Sequence, residues 1–312
     1  MNRSGAAHGG ERGGVDAGFF AILIGATFLM GSSFIAGKIL LGHGVPAILL
    51  VGWRFLLAAI ATLPLLAVAG GPLRAQLWPA GMMPRQAWVV GVIGLLQTAA
   101  VMGLLFVGMR HIPAAAAAIL LFSNPIWVAL LGRVFLRESL GPARMAGLLL
   151  GMLGVALAIG PGALLTDRDN ALFGELCCVA SALCWAVATT VNKRAALPIG
   201  GLALNFWQML IGALVLLALA WASGERWPPG VGGRQWLWFA WLAVPASTGS
   251  FGLWFVALRR GGATRTSGWL FLAPLFAVLL SFAVLHTALS PMQLLGGVLI
   301  GLGLWLVNRV RA

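Results

Sequence analysis

The chain has 312 residues, of which 61% are hydrophobic and 9% are charged. A soluble domain cannot bury that share of apolar residues, and apolar runs of about 20 residues are typical of membrane spans. The formal charge of +13 would indicate a nucleic-acid partner in a soluble protein, but here the basic residues fall between apolar runs. The composition therefore predicts an integral protein of the lipid bilayer without a nucleic-acid partner.

The chain begins with a polar, glycine-rich segment, residues 1–16, which we predict to be a disordered cytoplasmic tail. The first apolar run is too long for the core of a signal peptide, so we expect it to be retained as a span. The runs are also too long and too uniformly apolar for barrel strands. An all-α membrane protein with ten transmembrane helices is predicted, at residues 17–41, 48–69, 87–108, 114–135, 143–160, 172–195, 203–222, 236–257, 263–285 and 293–310.

The distribution of Lys and Arg predicts the orientation of these spans. With the N-terminus in the cytoplasm, 14 of the 20 basic residues lie on the cytoplasmic side and 5 on the opposite side, while Arg54 lies within the second run. Cytoplasmic loops of membrane proteins carry an excess of Lys and Arg. Both termini are therefore predicted to be cytoplasmic.

Part of the chain is duplicated. Segments 103–156 and 252–305 agree at 18 of 54 positions without a gap, including Pro125 and Pro274. Each half contains five spans, an odd number, so the second copy must enter the membrane in the opposite orientation. We therefore predict two inverted-topology five-helix repeats, 17–160 and 172–310, around a central cavity, an architecture that recurs in transporters with alternating access.

Several short motifs recur at the span ends and helix breaks. They are the span ends with Gly31 and Lys38 and with Trp185 and Lys193, the pair Arg54-Phe55, the steps Asn124-Pro125 and Ala273-Pro274, and residues 136–140 followed by Gly147 and Gly154. Taken together, these motifs resemble those of the drug/metabolite transporter superfamily, in its ten-span EamA-type branch. The second half departs from the pattern, because Thr287 stands where the first half has Glu138.

The resemblance implies a bacterial inner-membrane protein in which spans 1, 3, 4, 6, 8 and 9 line the cavity. Within the superfamily, the chain is most similar to bacterial amino-acid exporters, including those for aromatic amino acids. The expected function is export of small organic solutes by alternating access. Export of a drug, of another metabolite or of a phosphate-bearing solute is an alternative, and a non-transporting scaffold or receptor is another.

Acidic residues are scarce, and none of the seven lies in the middle of a predicted span. Glu175 lies near the outer end of span six and Glu138 near a cytoplasmic turn. Because carboxylates inside the membrane usually mark proton relays, we hypothesise a facilitator without proton coupling. No catalytic residue, cofactor or metal site is predicted, so we do not expect an enzyme.

Polar and aromatic residues inside the predicted cavity spans are candidates for the solute path. Hydroxyl, amide and indole groups suit a small amphipathic solute, because they combine hydrogen bonds with apolar cover. Span hydroxyls also commonly bond their own helix, and many Trp residues lie at the membrane interface. The candidates are Gln97, Thr98, Ser123, Asn124, Trp185, Thr189, Asn192, Ser250, Trp254 and Trp269.

Two further sets of residues have open roles. Pro125 and Pro274 each remove a helix hydrogen bond within a span, which gives either a fixed kink or a hinge. Lys38, Lys193 and Arg54 lie near span ends, where they either extend to the interface or attract a carboxylate or phosphate.

Small residues recur in the last span of each half, as Gly147 and Gly154 and as Gly296 and Gly303. Glycine on a spanning helix lets another helix approach closely. The contact is expected either within one chain or between two protomers, so a homodimer is left open.

Overall fold

The computed structural model describes residues 17–135, 141–159, 169–254, 256–257, 260, 268–287 and 289–309. The predicted tail, 1–16, lies outside these residues. A short helix, Leu73–Leu77, lies between the second and third of the long helices. The helices in chain order are α1 Ala17–Gly42, α2 Ala47–Val68, α3 Pro84–Gly108, α4 Ala114–Phe135, α5 Pro142–Ile159, α6 Asp169–Ala195, α7 Gly201–Ala222, α8 Gly233–Ala243, α9 Leu272–Leu285 and α10 Pro291–Arg309.

Six of the described helices, α1 to α4, α6 and α7, are long and apolar enough to cross a membrane. Shorter apolar helical stretches occupy Met145–Gly154, Leu272–Leu285 and Pro291–Gly303. Helices satisfy their own backbone hydrogen bonds, which the hydrocarbon core of a bilayer requires. The chain is therefore a multi-pass membrane protein, and its regular structure in the described ranges is all helical.

The turn between α1 and α2 illustrates how the sequence ends one helix and starts the next. Gly44 adopts a left-handed backbone conformation with φ 81°, which favours glycine just after a helix. Pro46 then precedes α2 in an extended conformation. The amide of Leu49, in the first turn of α2, donates to Glu225 Oε2 at 2.8 Å, so the α7–α8 loop caps α2.

Glycines bring α5 and α10 into direct backbone contact. A Cβ atom on Gly154 would lie 2.7 Å from the carbonyl oxygen of Gly296, and one on Gly303 would lie 2.6 Å from that of Gly147. Only glycine fits at this separation. The close approach occurs within one chain, so these glycines give no support to a homodimer.

Two irregular segments occur at equivalent places in the two halves. Wide π-helical turns occupy Leu95–Ala100 within α3 and Val244–Gly249 after α8, 149 residues apart. Such turns are rare and are frequent at functional sites.

The repeated prolines both lie near the start of an α-helical segment. In α4, one helical segment ends at Leu121 and the next begins at Asn124, so Pro125 lies in a first turn. Pro274 lies in the first turn of α9, directly after a 3₁₀ turn at Gly268–Phe271. A first turn tolerates proline because its N–H groups have no partner within the helix.

Candidate functional site

A cavity of about 120 Å³ lies among helices of both halves. It contacts α1, α3, α4 and α6, the segment that follows α8, and the 3₁₀ turn before α9, which are the spans that the resemblance implies. Arg54 adds a contribution from α2. The lining residues are Met30, Ser33, Phe34, Arg54, Met102, Leu105, Phe106, Leu121, Phe122, Trp185, Ala246, Ser250, Phe251, Trp254 and Leu270.

Equivalent positions of the two halves face the cavity together. Three of these pairs differ in chemistry, because an aromatic side chain in the second half replaces a non-aromatic one in the first. Equivalent positions thus line the cavity with different side chains. The pairs are Met102 with Phe251, Leu105 with Trp254 and Leu121 with Leu270, each 149 residues apart, and Met30 with Trp185, 155 residues apart.

Among the described residues that line the cavity, Arg54 is the one with a charged side chain, and this side chain is only 4% exposed. Its Nε donates a hydrogen bond of 2.8 Å to Ser247 Oγ. Its Cζ lies 4.6 Å from the ring centroid of Phe55 and 5.4 Å from that of Phe106, which is cation–π geometry. Ser247 belongs to the second π turn and donates to Leu242 O, so this turn positions the guanidinium.

Four residues predicted for the solute path or the span ends line the cavity: Arg54, Trp185, Ser250 and Trp254. The Ser250 hydroxyl donates to the carbonyls of Ala246 and Ser247, within its own helix, and its oxygen can still accept a hydrogen bond. The Trp185 ring packs beside Phe122, with centroids 6.2 Å apart. The cavity therefore combines one cation, hydroxyl groups and aromatic faces.

The other predicted path residues are not among those that line this cavity. The Ser123 hydroxyl bonds the carbonyl of Leu120 in its own helix, and Trp269 packs edge-to-face against Phe20. Asn192 is exposed near the end of α6. The full set outside the lining is Gln97, Thr98, Ser123, Asn124, Thr189, Asn192 and Trp269.

The two lysines at span ends also lie outside the lining. Lys38 Nζ donates to the carbonyl of Met109 and, at 2.8 Å, to that of Ile112. These carbonyls follow the C-terminus of α3, where a cation is favoured by the helix dipole. Lys193 is exposed near the C-terminus of α6.

Sequence reasoning missed most of the apolar lining and both π turns. Met30, Phe34 and Met102 carry no mark that distinguishes them from other apolar residues of a span. Phe122 could have been found, because it directly precedes the interruption before Pro125. The π turns have a weak signal, since Pro245 occurs in only one of them.

A second, larger groove of about 240 Å³ lies between α4, α9 and α10 and includes Pro274. Ile119, Phe122 and Val278 are typical of its lining, and all of its described lining residues are apolar. Such a groove cannot orient a polar solute, because orientation requires placed polar groups. The cavity that contains Arg54 is therefore the better candidate site.

Multiple membrane spans around a solute-sized cavity are the architecture typical of membrane transporters. The model of the EamA-like transporter family matches residues 17–160 and 172–309. The chain therefore belongs to this family, within the drug/metabolite transporter superfamily.

Known proteins similar to this chain agree with that assignment. The uncharacterized transporter YoaV of Bacillus subtilis is 27% identical, over 91% of this chain and 94% of its own. Protein PecM of Dickeya dadantii is 28% identical, over 72% of this chain and 74% of its own. A protein of known crystal structure is 21% identical and superposes with a TM-score of 0.63, over 93% of this chain and 97% of that one, which supports the fold alone.

Proposed function

We propose that this protein is a ten-span transporter of the bacterial inner membrane, built from two inverted repeats, with both termini in the cytoplasm. It exports small organic solutes by alternating access and works as a facilitator without proton coupling. Amino acids, including neutral and aromatic ones, are the first candidate solutes. The observation that carries this proposal is the central cavity, to which equivalent positions of both halves contribute.

The packing of the helices supports the inverted architecture. α2 packs on α7, and α5 packs on α10, so each of these pairs joins equivalent helices of the two halves. α1 packs on α8 and α9, as α6 packs on α3 and α4. Exchange of the two halves leaves this pattern unchanged, as expected for repeats related by an axis in the membrane plane.

The size of the cavity favours a small solute over a drug-sized one. Pockets for drug-sized ligands are roughly 300–1,000 Å³, whereas this cavity is about 120 Å³. A phosphate-bearing solute held by Lys38 is also disfavoured, because two backbone carbonyls already accept from its ammonium group. Export of a drug or of another metabolite is the alternative function, and it is tested in the same experiment as amino-acid export.

The experiment is a flux assay with purified protein in liposomes. Radiolabelled phenylalanine, leucine and serine, with a lipophilic drug as an alternative solute, are loaded inside, and their efflux is compared with empty liposomes. Saturable efflux of an amino acid supports the proposal. Saturable efflux of the drug alone would support drug export in place of amino-acid export. A complete lack of saturable movement for every solute supports a scaffold or receptor instead.

A further inference from the structure

Arg54 places a cation inside a span, where an ionised side chain needs a partner. In the part of the chain that the structure describes, no carboxylate forms an ion pair with Arg54, and its one hydrogen bond leaves from Nε to Ser247. Residues 17–135 and 226–312 contain no Asp or Glu at all. The two terminal amino groups of the guanidinium therefore keep their donors for another acceptor.

These amino groups can reach the cavity. Arg54 lines it. Among the described residues, each nitrogen of Arg54 either has a hydrogen-bond partner or is accessible at its surface. The rings of Phe55 and Phe106 hold the guanidinium from the sides, but aromatic faces only partly offset a desolvated charge. An anion from outside the chain would complete the site.

We propose, resting on the proposed transport function, that Arg54 binds the carboxylate of the transported solute. A guanidinium presents parallel N–H donors that match a carboxylate, so one arginine can both bind and orient it. The class of solute is a small monocarboxylate with an apolar or aromatic body.

The charge of the site favours a monocarboxylate over a phosphate ester. A phosphate monoester carries about −1.5 to −2 charges at neutral pH and needs a second cation. The described lining offers Arg54 alone, because Lys38 donates to carbonyls elsewhere. One carboxylate neutralises the cavity.

The remaining lining suits an apolar body. Trp185, Trp254 and Phe122 present aromatic surface to the same cavity as Arg54. The hydroxyl oxygens of Ser33 and Ser250 are acceptors for an ammonium group, should the solute be an amino acid. Phenylalanine and phenylpropanoate, which differ by that ammonium, are thus both suitable probes.

The second half has no equivalent cation, which makes the site single. Gln208 stands at the position equivalent to Arg54, 154 residues further on, and its amide donates to Asn205 Oδ1 at 2.7 Å. The carboxylate therefore has one place to bind, on the side of the cavity formed by α2.

Calorimetry on the full-length protein in detergent tests this inference. Three matched probes are used: phenylalanine, phenylpropanoate and phenethylamine, which lacks the carboxylate. We expect phenylpropanoate, phenylalanine or both to bind, and phenethylamine not to bind. Arg54→Gln should weaken carboxylate binding roughly 10- to 100-fold, and Arg54→Lys should retain part of it. Arg74→Gln, at an exposed arginine in the connecting helix, should bind as the unmodified protein does.

The comparison of probes in the unmodified protein keeps the test valid even where Arg54 variants fail to fold. Phenethylamine binding as strongly as the carboxylates, or a folded Arg54→Gln protein with unchanged carboxylate affinity, would overturn the inference. Flux of any solute in liposomes would then still support transport. Carboxylate binding without saturable flux of any solute would instead overturn the transport function on which the inference rests.

Discussion

At the scale of single residues, Arg54 depends on Ser247 for its position. Replacement by Ser247→Ala removes the acceptor of the Nε hydrogen bond but leaves the charge. We expect carboxylate binding to weaken by roughly 2- to 10-fold, less than in Arg54→Gln, because Ser247 positions the guanidinium without touching the solute and a typical hydrogen bond contributes about 0.5–1.5 kcal/mol. Calorimetry measures this, with Ser223→Ala after α7 as the control, and equal affinities for the two serine variants would contradict it.

The sequence predicted that Arg54 is a candidate functional residue, but it did not predict the environment of its side chain. A basic residue near a span end is equally compatible with the interface and with the interior. Its burial follows from contacts with Phe106 and Ser247, which are 52 and 193 positions away in the chain. The residue type and the span predicted Trp185 and Ser250 correctly as lining residues. Asn192 was predicted on the same grounds but lies exposed near the end of α6.

At the scale of helices, the contact between α5 and α10 should depend on individual glycines. Gly303→Ala places a Cβ atom 2.6 Å from the carbonyl oxygen of Gly147, whereas Gly301→Ala meets nothing within 4 Å. Overpacking costs about 1–3 kcal/mol, so we expect Gly303→Ala to lower the melting temperature in detergent. The Gly301→Ala protein should melt like the unmodified one, and equal melting of both variants would refute the close contact.

The interruption of α4 should matter for turnover. Pro125→Ala restores a backbone donor and lets Ala114–Leu121 join Asn124–Phe135, which would shift Leu121 and Phe122 in the cavity. We expect severalfold slower flux without loss of thermal stability. Pro84→Ala, at the first residue of α3 and away from the cavity, is the control. Unchanged flux in Pro125→Ala would reduce the proline to a packing role.

At the scale of the whole molecule, the apolar runs, the helical class and the duplication could be read from the sequence, because runs of bilayer length leave few alternatives to helices and the duplication is visible as identities. The cavity could not. Its lining depends on which faces of α1, α3 and α6 meet, and uniformly apolar helices do not reveal a face. The repeated π turns likewise arise from packing, as Thr98 in the first turn lies against Gly212 of α7.

The absence of a carboxylate from the described lining predicts how flux responds to a proton gradient. Glu175 is buried, at 5% exposure, but lies on α6 outside the lining. Because a proton-coupled cycle needs a titratable group that senses the solute, we expect equal flux with and without a gradient. The measurement compares solute flux in liposomes with and without a protonophore. The same comparison is made with the Glu175→Gln protein. Flux that falls on addition of the protonophore would contradict the facilitator hypothesis.

Alternating exposure of the central cavity is tested most directly by cysteine accessibility. Ser33 lines the cavity from α1, so Ser33→Cys, with Cys177, Cys178 and Cys184 changed to Ala, provides a single reporter thiol. A membrane-impermeant thiol reagent, applied from each side of oriented vesicles, should label this thiol from both sides, and transported solute should protect it. Labelling from one side only, unaffected by every solute that is transported, would contradict alternating access.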